Sequence, residues 1–294
     1  MKQQIEKALK HWELPGAELL QRFRKDSPRL IFKVRAENGF YILKGIPEEK
    51  PEEVIRGNVE AHRFLGNKKG IAPRIFATRD GSFYVKENGF WFYLLEFIDG
   101  KTPEAAVENE EFLGRLARQC HSYTEYTYPT GLTEEKQEFY EWFREKAFKS
   151  EFNRILDGLP DFRKLDRCFI HTDLGPHNVI ITPAGQMVLI DLDDAGIGSR
   201  YLDLGYPFIC QFVEHDDKMN MRYRFDYAKA FLKGYYVDEK IPRPEYELLW
   251  QGAAYMQIFY MQCYGADAVD SLWRILKFGL EQKEALWEML ERER

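Results

Sequence analysis

The sequence has little of what marks disulfide-stapled, zinc-bound or membrane-spanning proteins. Its 294 residues include only four cysteines, scattered and without a C-x-x-C pair, which predicts reduced thiols and no zinc or disulfide framework. No apolar run approaches the roughly 20 residues of a membrane span. The first residues, MKQQIEKALKHWEL, lack the apolar core of a signal peptide. We therefore expect a cytoplasmic protein with no membrane partner.

A strongly basic stretch is also lacking. Acidic residues outnumber basic ones, 48 to 42, and the net charge is −6, so nothing favours a nucleic acid as partner. The composition, 45% hydrophobic and 31% charged, is that of an ordinary globular protein. Its length exceeds the usual range of a single hydrophobic core and predicts two lobes.

The most informative segment that is present is a loop followed by a hairpin. Residues 171–178 read HTDLGPHN, and the Gly-Pro pair within them breaks any helix. The apolar runs 179–182 and 187–190 flank Pro-Ala-Gly, as expected of a β-hairpin. The outer ends of a hairpin are neighbours, so Asn178 and Asp191 are predicted to lie side by side.

These residues form the inventory that phosphoryl transfer from Mg-ATP requires. One carboxylate lies near the attacking hydroxyl, and two oxygen ligands hold the metal ion. We predict Asp173 as the catalytic residue and Asn178 with Asp191 as the Mg²⁺ ligands.

A lysine upstream fits the same chemistry. Strand alternation in residues 40–44 places Phe40, Ile42 and Lys44 on one face. An ammonium that continues an apolar face is costly unless an anion neutralises it, and a nucleotide phosphate supplies one. The alternative is a lysine at a strand end that reaches water.

The order of elements predicts an α+β protein. Strands are predicted at 18–23, 29–36, 40–44 and 90–97, with a further hairpin about Asp80-Gly81 and one helix at 51–66. Helical periodicity then covers 108–123, 138–156, 222–235, 245–264 and 270–292. The boundary is predicted at 98/99, between a β-rich lobe (1–98) with one crossing helix and a mainly helical lobe (99–294).

The loop, the hairpin and the IDLDD of residues 190–194 resemble the aminoglycoside phosphotransferase and choline kinase superfamily, small-molecule relatives of protein kinases. That family usually reads His-Gly-Asp-Leu-His-Pro-Gly-Asn and then Ile-Asp-Phe/Trp. Gly175 and His177 depart from it, and His177 needs a backbone conformation that a side chain tolerates. The resemblance implies a protein-kinase-like two-lobe fold, with nucleotide bound by lobe 1–98 and the catalytic loop and acceptor site in lobe 99–294.

The resemblance also implies further nucleotide contacts. Lys44 matches the family's strand lysine, and Glu60 its ion-pair partner. The backbone of Glu96 and Ile98 would face the adenine edge. Residues 24–29 have no glycine where protein kinases carry a Gly-rich loop, and Ser27 is the predicted phosphate contact there. Asp203 is predicted to brace the catalytic loop.

The predicted activity is transfer of the γ-phosphate of ATP, with Mg²⁺, to the hydroxyl of a small molecule. An aminoglycoside, an amino alcohol, homoserine and a sugar-like alcohol all remain open, as does the oligomeric state. The candidate acceptor walls are aromatic residues of the helical half, together with an acidic cluster at 214–217: Tyr206, Phe208, Phe212, Trp250, Tyr255, Phe259, Tyr260 and Tyr264.

Three alternatives remain. A protein Ser/Thr kinase is disfavoured because Ala-Pro-Glu and a long activation loop after Asp191 are missing. A kinase-like nucleotide-binding structural protein would have weak or no turnover. A metal hydrolase would use His171, Asp173 and His177 as ligands.

Overall fold

The computed structural model describes residues 2–25, 27–132, 146–237 and 239–292. The helices within these ranges are α1 (Lys2–Leu9), α2 (Glu52–His62), α3 (Val107–His121), α4 (Lys149–Gly158), α5 (Arg200–Cys210), α6 (Phe225–Tyr236), α7 (Arg243–Tyr264), α8 (Val269–Glu281) and α9 (Lys283–Arg292). The strands are β1 (Glu18–Phe23), β2 (Leu30–Ala36), β3 (Gly39–Pro47), β4 (Ile75–Phe76), β5 (Val85–Glu87), β6 (Phe90–Glu96), β7 (Arg167–Ile170), β8 (Val179–Ile181), β9 (Met187–Leu189), β10 (Gly196–Ser199), β11 (Val213–His215) and β12 (Met221–Tyr223).

The chain forms two compact units. The first contains Met1–Thr102 and His177–Ala195, and the second contains Pro103–Pro176 and Gly196–Arg294. A β-rich first unit and a mainly helical second unit confirm the predicted α+β class. None of the described helices combines the length and the apolar composition that crossing a bilayer requires.

An antiparallel sheet organises the first unit. Among the described residues it has the order β1-β2-β3-β6-β4, with β5 also paired to β6. Alternation along β6 separates its side chains: Phe92 and Leu94 pack with Ile5 and Leu9 of α1, whereas Tyr93 and Leu95 pack with Ile55 and Val59 of α2. The sheet therefore has a buried core on each face.

The hairpin β8–β9 belongs to the first unit, although the sequence predicts residues 99–294 as one lobe. Lys101 and Ile181 form an antiparallel bridge. The Leu189 N–H donates to the Ile71 carbonyl at 2.8 Å. These backbone bonds tie the hairpin to segments beside the sheet.

Helix pairs build the second unit. Helix α3 packs against α6, and α5 against α7. The α5–α7 pair crosses at Gly252, where a Cβ atom would lie closer than 3.0 Å to the Tyr201 carbonyl. The missing side chain therefore sets how closely the two helices approach.

Two predicted elements differ. The hairpin about Asp80-Gly81 is wrong, because β4 and β5 both pair with β6 and not with each other. The long apolar run of β6 offers a better edge to both short strands. The predicted helix 138–156 appears as α4 in its last part, and residues 133–145 lie outside the described residues.

Candidate active site

Lys44 is buried on the α2 face of the sheet. It follows Ile42 on that face of β3, and its side chain is only 6% exposed. Its Nζ lies 2.8 Å from Asp191 Oδ1 and 2.6 Å from Asp193 Oδ1. Burial alone would lower the pKa of Lys44, but Asp193 and Asp191 outweigh it and raise the pKa above its ordinary value. The lysine is therefore a fixed positive charge.

The hairpin places the two predicted metal ligands together. Strand β8 pairs with β9 from Val179↔Leu189 onward, and the Ile190 N–H donates to the Asn178 carbonyl at 2.9 Å. This confirms that Asn178 and Asp191 are neighbours. Asp191 has a φ of 60°, a left-handed conformation that is uncommon for a residue with a side chain and is enriched at functional sites.

Asp191 is held as a carboxylate. Burial would raise its pKa, but Lys44, Arg29 and Arg24 keep the pKa well below its usual range. His62 lies near the same lysine, and burial together with Lys44 lowers the pKa of His62 to about 4. At neutral pH this histidine is uncharged.

Asp193 is the second carboxylate on Lys44. Its side chain is 6% exposed. It accepts a hydrogen bond from the Tyr93 hydroxyl at 3.1 Å and forms an ion pair with Arg29 at 2.6 Å. The sequence prediction missed this arrangement, although IDLDD contains a signal: a second acidic residue follows the predicted metal ligand, with the apolar and buried Leu192 between them.

Glu60 does not hold Lys44, and the predicted ion pair is wrong. Glu60 bonds to Arg63 at 2.5 Å. The buried face of α2 carries Ile55, Asn58, Val59 and His62. A helix turns about 100° per residue, so Glu60 points about 200° away from Asn58 and His62. The spacing of the apolar residues in α2 therefore already indicates that Glu60 lies opposite the buried face.

A cavity of about 580 Å³ adjoins these groups within the first unit. Lys44 and Asp191 line it, and so do Glu96 and Ile98, the two predicted adenine contacts. Its apolar walls are Phe23, Ile31, Ile42, Leu95, Phe97, Ile180 and Ile190. The volume and apolar lining are those of a nucleotide-sized ligand site. The Glu96 carboxylate is turned to Arg74, at 3.0 Å.

The loop between β1 and β2 differs from the prediction at Ser27. The Ser27 hydroxyl accepts from the Arg29 backbone N–H at 3.1 Å, and Ser27 is not among the cavity-lining residues. Two arginines of the loop point to the carboxylates instead. Arg24 lies 3.6 Å from Asp191, and Arg29 pairs with Asp193. A basic, glycine-free loop was the sequence signal for them.

Asp173 lies in the second unit. It accepts a hydrogen bond from the Tyr260 hydroxyl at 3.1 Å. Burial, Tyr260 and Asp173 raise the pKa of Tyr206, so both tyrosines stay neutral donors.

Asp203 is fully buried and accepts the backbone N–H groups of His171 and Thr172, which confirms the predicted brace. Thr172 has a φ of 77°, so the brace fixes a strained backbone next to Asp173.

The backbone at His177, where the sequence departs from the family's glycine, tolerates a side chain. It lies in a short 3₁₀ turn, Pro176–Asn178, and its φ is not positive. A residue with a side chain therefore fits where the family usually has glycine.

A small cavity of about 210 Å³ lies in the second unit. Tyr206, Tyr260 and Tyr264 line it, with Cys210, His215 and Gln257. Of the acidic cluster, Glu214 pairs with Arg224 at 2.6 Å. Asp216 accepts from Asn220 and from the Lys218 N–H in its own loop. These two acids stabilise local structure and do not line the cavity.

The side-chain oxygens of Asn178 and Asp191 suit a divalent cation of the kind that binds together with nucleotide phosphates. Asp191 contributes an ionised carboxylate and Asn178 an amide oxygen, both hard ligands that suit Mg²⁺. No group of three His, Cys, Asp or Glu side chains suited to a metal ion occurs in the part of the chain that the structure describes. The ligand set of the metal-hydrolase alternative is therefore not found there.

A model of the phosphotransferase enzyme family matches residues 20–237. An aminopropanol kinase associated with a microcompartment is 17% identical, with a TM-score of 0.63 and coverage of 99% of this chain and 98% of the other. An amicoumacin kinase solved with AMP-PNP, Ca²⁺ and Ami is 17% identical, with a TM-score of 0.69 and coverage of 96% and 93%.

A choline kinase from Cryptosporidium parvum Iowa II is 15% identical, with a TM-score of 0.65 and coverage of 98% and 97%. At such identities the likeness concerns the fold, and it confirms the predicted protein-kinase-like fold.

Proposed function

The chain belongs to the phosphotransferase enzyme family, and from this premise we propose that it transfers the γ-phosphate of ATP, with Mg²⁺, to the hydroxyl of a small molecule in the cytoplasm. The observation that carries the proposal is the placement of Lys44 and Asp191 on the wall of one apolar cavity. A fixed cation beside an ionised carboxylate is what a metal-bound triphosphate requires.

Each residue has a role in this proposal. The apolar walls of the 580 Å³ cavity enclose the adenine, with the backbone of Glu96 and Ile98 at its edge. Lys44 neutralises the phosphates. Asn178 and Asp191 would hold Mg²⁺, which would neutralise charge on the phosphates.

Asp173 orients the acceptor hydroxyl and receives its proton. Tyr260 donates to the Asp173 carboxylate and so fixes its direction. In a loose transition state the proton moves late, so this positioning matters more than basicity. The Asp203 brace holds the backbone on which Asp173 stands.

A small amino alcohol is the acceptor class that the second cavity supports best. Its volume of about 210 Å³ is below the range of roughly 300–1,000 Å³ usual for drug-sized ligands, and an aminoglycoside of several linked rings exceeds it. The rings of Tyr206 and Tyr260 lie 5.7 Å apart, and those of Tyr260 and Tyr264 lie 6.1 Å apart. Such a group of rings binds an ammonium by cation–π attraction.

The test is an ATP-consumption screen over amino alcohols, homoserine, sugars, aminoglycosides and a serine peptide. We expect turnover with an amino alcohol, and its loss in Asp173→Ala. Tyr264→Leu is expected to raise the KM for that acceptor about fivefold, since one cation–π contact contributes about 1 kcal/mol, whereas Tyr264→Phe retains the ring. ATP binding without turnover on any acceptor would favour the nucleotide-binding structural alternative.

A further inference from the structure

We propose that Asp193, and not the helix carboxylate Glu60, is the positioning residue that holds Lys44 toward the nucleotide phosphates. The inference rests on the proposed function and deepens it. The buried Lys44 ammonium needs paired partners around it, so the groups that fix those partners also fix the direction of the ammonium.

Asp193 is fixed from three sides. The Tyr93 hydroxyl on β6 donates to Oδ1 at 3.1 Å, the atom that also accepts from Lys44. Arg29 of the β1–β2 loop holds Oδ2 at 2.6 Å. The Asn58 side chain of α2 lies against the Asp193 carbonyl, and its amide donates to that carbonyl when the nitrogen is assigned to the facing position. Both carboxylate oxygens of Asp193 therefore contact protein groups before any ligand binds.

Asp191 cannot perform this task alone. Its side chain is 22% exposed, against 6% for Asp193. Under the proposed function its oxygens are divided between Lys44 and Mg²⁺. A carboxylate that serves a metal ion exerts a weaker hold on the ammonium, and Asp193 supplies the hold that does not change with metal occupancy.

Helix α2 contributes through an amide instead of a carboxylate. Glu60 bonds to Arg63, which is 45% exposed. On α2, Asn58 lies at the Asp193 carbonyl, and the uncharged His62 lies near Lys44. The helix thus positions the lysine indirectly, by fixing the segment that carries Asp193.

The experiment compares Asp193→Asn with Glu60→Gln, and uses Asp80→Asn as a matched aspartate control on a loop of the same unit. We expect kcat to fall about 100-fold in Asp193→Asn, the effect of a misplacement of about 1 Å, while the KM for ATP changes much less. The other two variants should stay within about twofold of the wild type, because the Asp80 carboxylate bonds only within its own turn and Glu60 bonds to Arg63.

A second readout needs no turnover and no metal. ATP affinity is titrated in EDTA with and without Lys44→Met. Lys44→Met is expected to weaken ATP binding about tenfold in the wild type and in Glu60→Gln. In Asp193→Asn it is expected to weaken binding at most about twofold, because there Lys44 is no longer held toward the phosphates. If Asp193→Asn is poorly folded by thermal unfolding, Tyr93→Phe removes one hydrogen bond to the same carboxylate and should lower kcat in the same direction, by less.

The outcomes separate the two proposals. If Lys44→Met weakened ATP binding about tenfold in Asp193→Asn but at most about twofold in Glu60→Gln, the inference about Asp193 would be overturned. The proposed phosphotransferase activity would stand. A defect of Asp193→Asn that is present only with Mg²⁺ would make Asp193 a metal ligand, and would also overturn it. If the wild type turns over no acceptor, the proposed function fails, yet the metal-free titration still decides the role of Asp193.

Discussion

A buried glutamate makes the stability of the second unit depend on pH. Glu110 of α3 is 3% exposed, and its Oε2 has no hydrogen-bond partner among the described groups. Burial raises its pKa from 4.5 to about 7 despite the charge of Arg224, because Arg224 is engaged by Glu214 and Asp226. The change Glu110→Gln removes the charge and keeps the shape.

The sign and size of the pH effect on stability follow from the raised pKa of Glu110. Between pH 4.5 and pH 7 the folded state binds more protons at Glu110 than the unfolded state does, so stability falls as pH rises through this window. A shift from 4.5 to 7 corresponds to about 3 kcal/mol, lost above pH 7. Glu110→Gln is therefore expected to match the wild type near pH 4.5 and to exceed it by about 3 kcal/mol at pH 8.

Differential scanning calorimetry at the two pH values measures this difference. About 3 kcal/mol corresponds to a rise in Tm of roughly 6–12 °C for a unit of this size. Glu108→Gln is the matched control, since Glu108 lies in the same helical turn and is exposed. Equal Tm differences between Glu110→Gln and the wild type at pH 4.5 and pH 8 would refute the reasoning.

Three further predictions concern the sites and the helix packing. Asp191→Ala should weaken Mg-ATP binding at least about tenfold more than Asp173→Ala, because only Asp191 is assigned to the metal, and equal affinities by calorimetry would contradict the assigned roles. Asp203→Asn should lower kcat and cost about 1.5–3 kcal/mol in chemical unfolding, because a buried anion that accepts two backbone N–H groups is lost; an unchanged kcat would argue against the brace. Gly252→Ala should destabilise by about 1–3 kcal/mol, because the new Cβ overlaps the Tyr201 carbonyl, whereas Gly57→Ala meets nothing within 4 Å and should stabilise α2 by up to about 1 kcal/mol.

The parts of the site that depend on chain-local geometry were predictable. The turn at 183–185 and the apolar runs beside it fixed the hairpin, and with it the adjacency of Asn178 and Asp191. The period of two along β3 placed Lys44 on a buried face. The backbone conformations themselves, such as the positive φ of Thr172 and Asp191, leave no trace in side-chain periodicity.

Long-range pairing was harder to predict. Strands β4 and β5 have a turn sequence between them, yet each finds more favourable pairing along β6. The choice between two edges depends on packing across the sheet, which no local pattern reports. The ion pair of Glu60 is wrong for another reason: the resemblance implies it, but the buried face of α2 carries Asn58 and His62, so the helix turns Glu60 away.

The segment after β9 explains how a kinase-like site can use a helix without an inward carboxylate. Leu192 is fully buried, which anchors the segment in the core and turns its two neighbours, Asp191 and Asp193, toward Lys44. One short stretch thus delivers two carboxylates to the lysine, with different exposure and different partners. Because the lysine is neutralised from this side, α2 can turn its apolar residues Ile55 and Val59 to the sheet without directing a carboxylate at Lys44. The helix places a neutral amide, Asn58, beside the Asp193 carbonyl, and a carboxylate from α2 would be the third beside Lys44 and would add an uncompensated charge to the cluster.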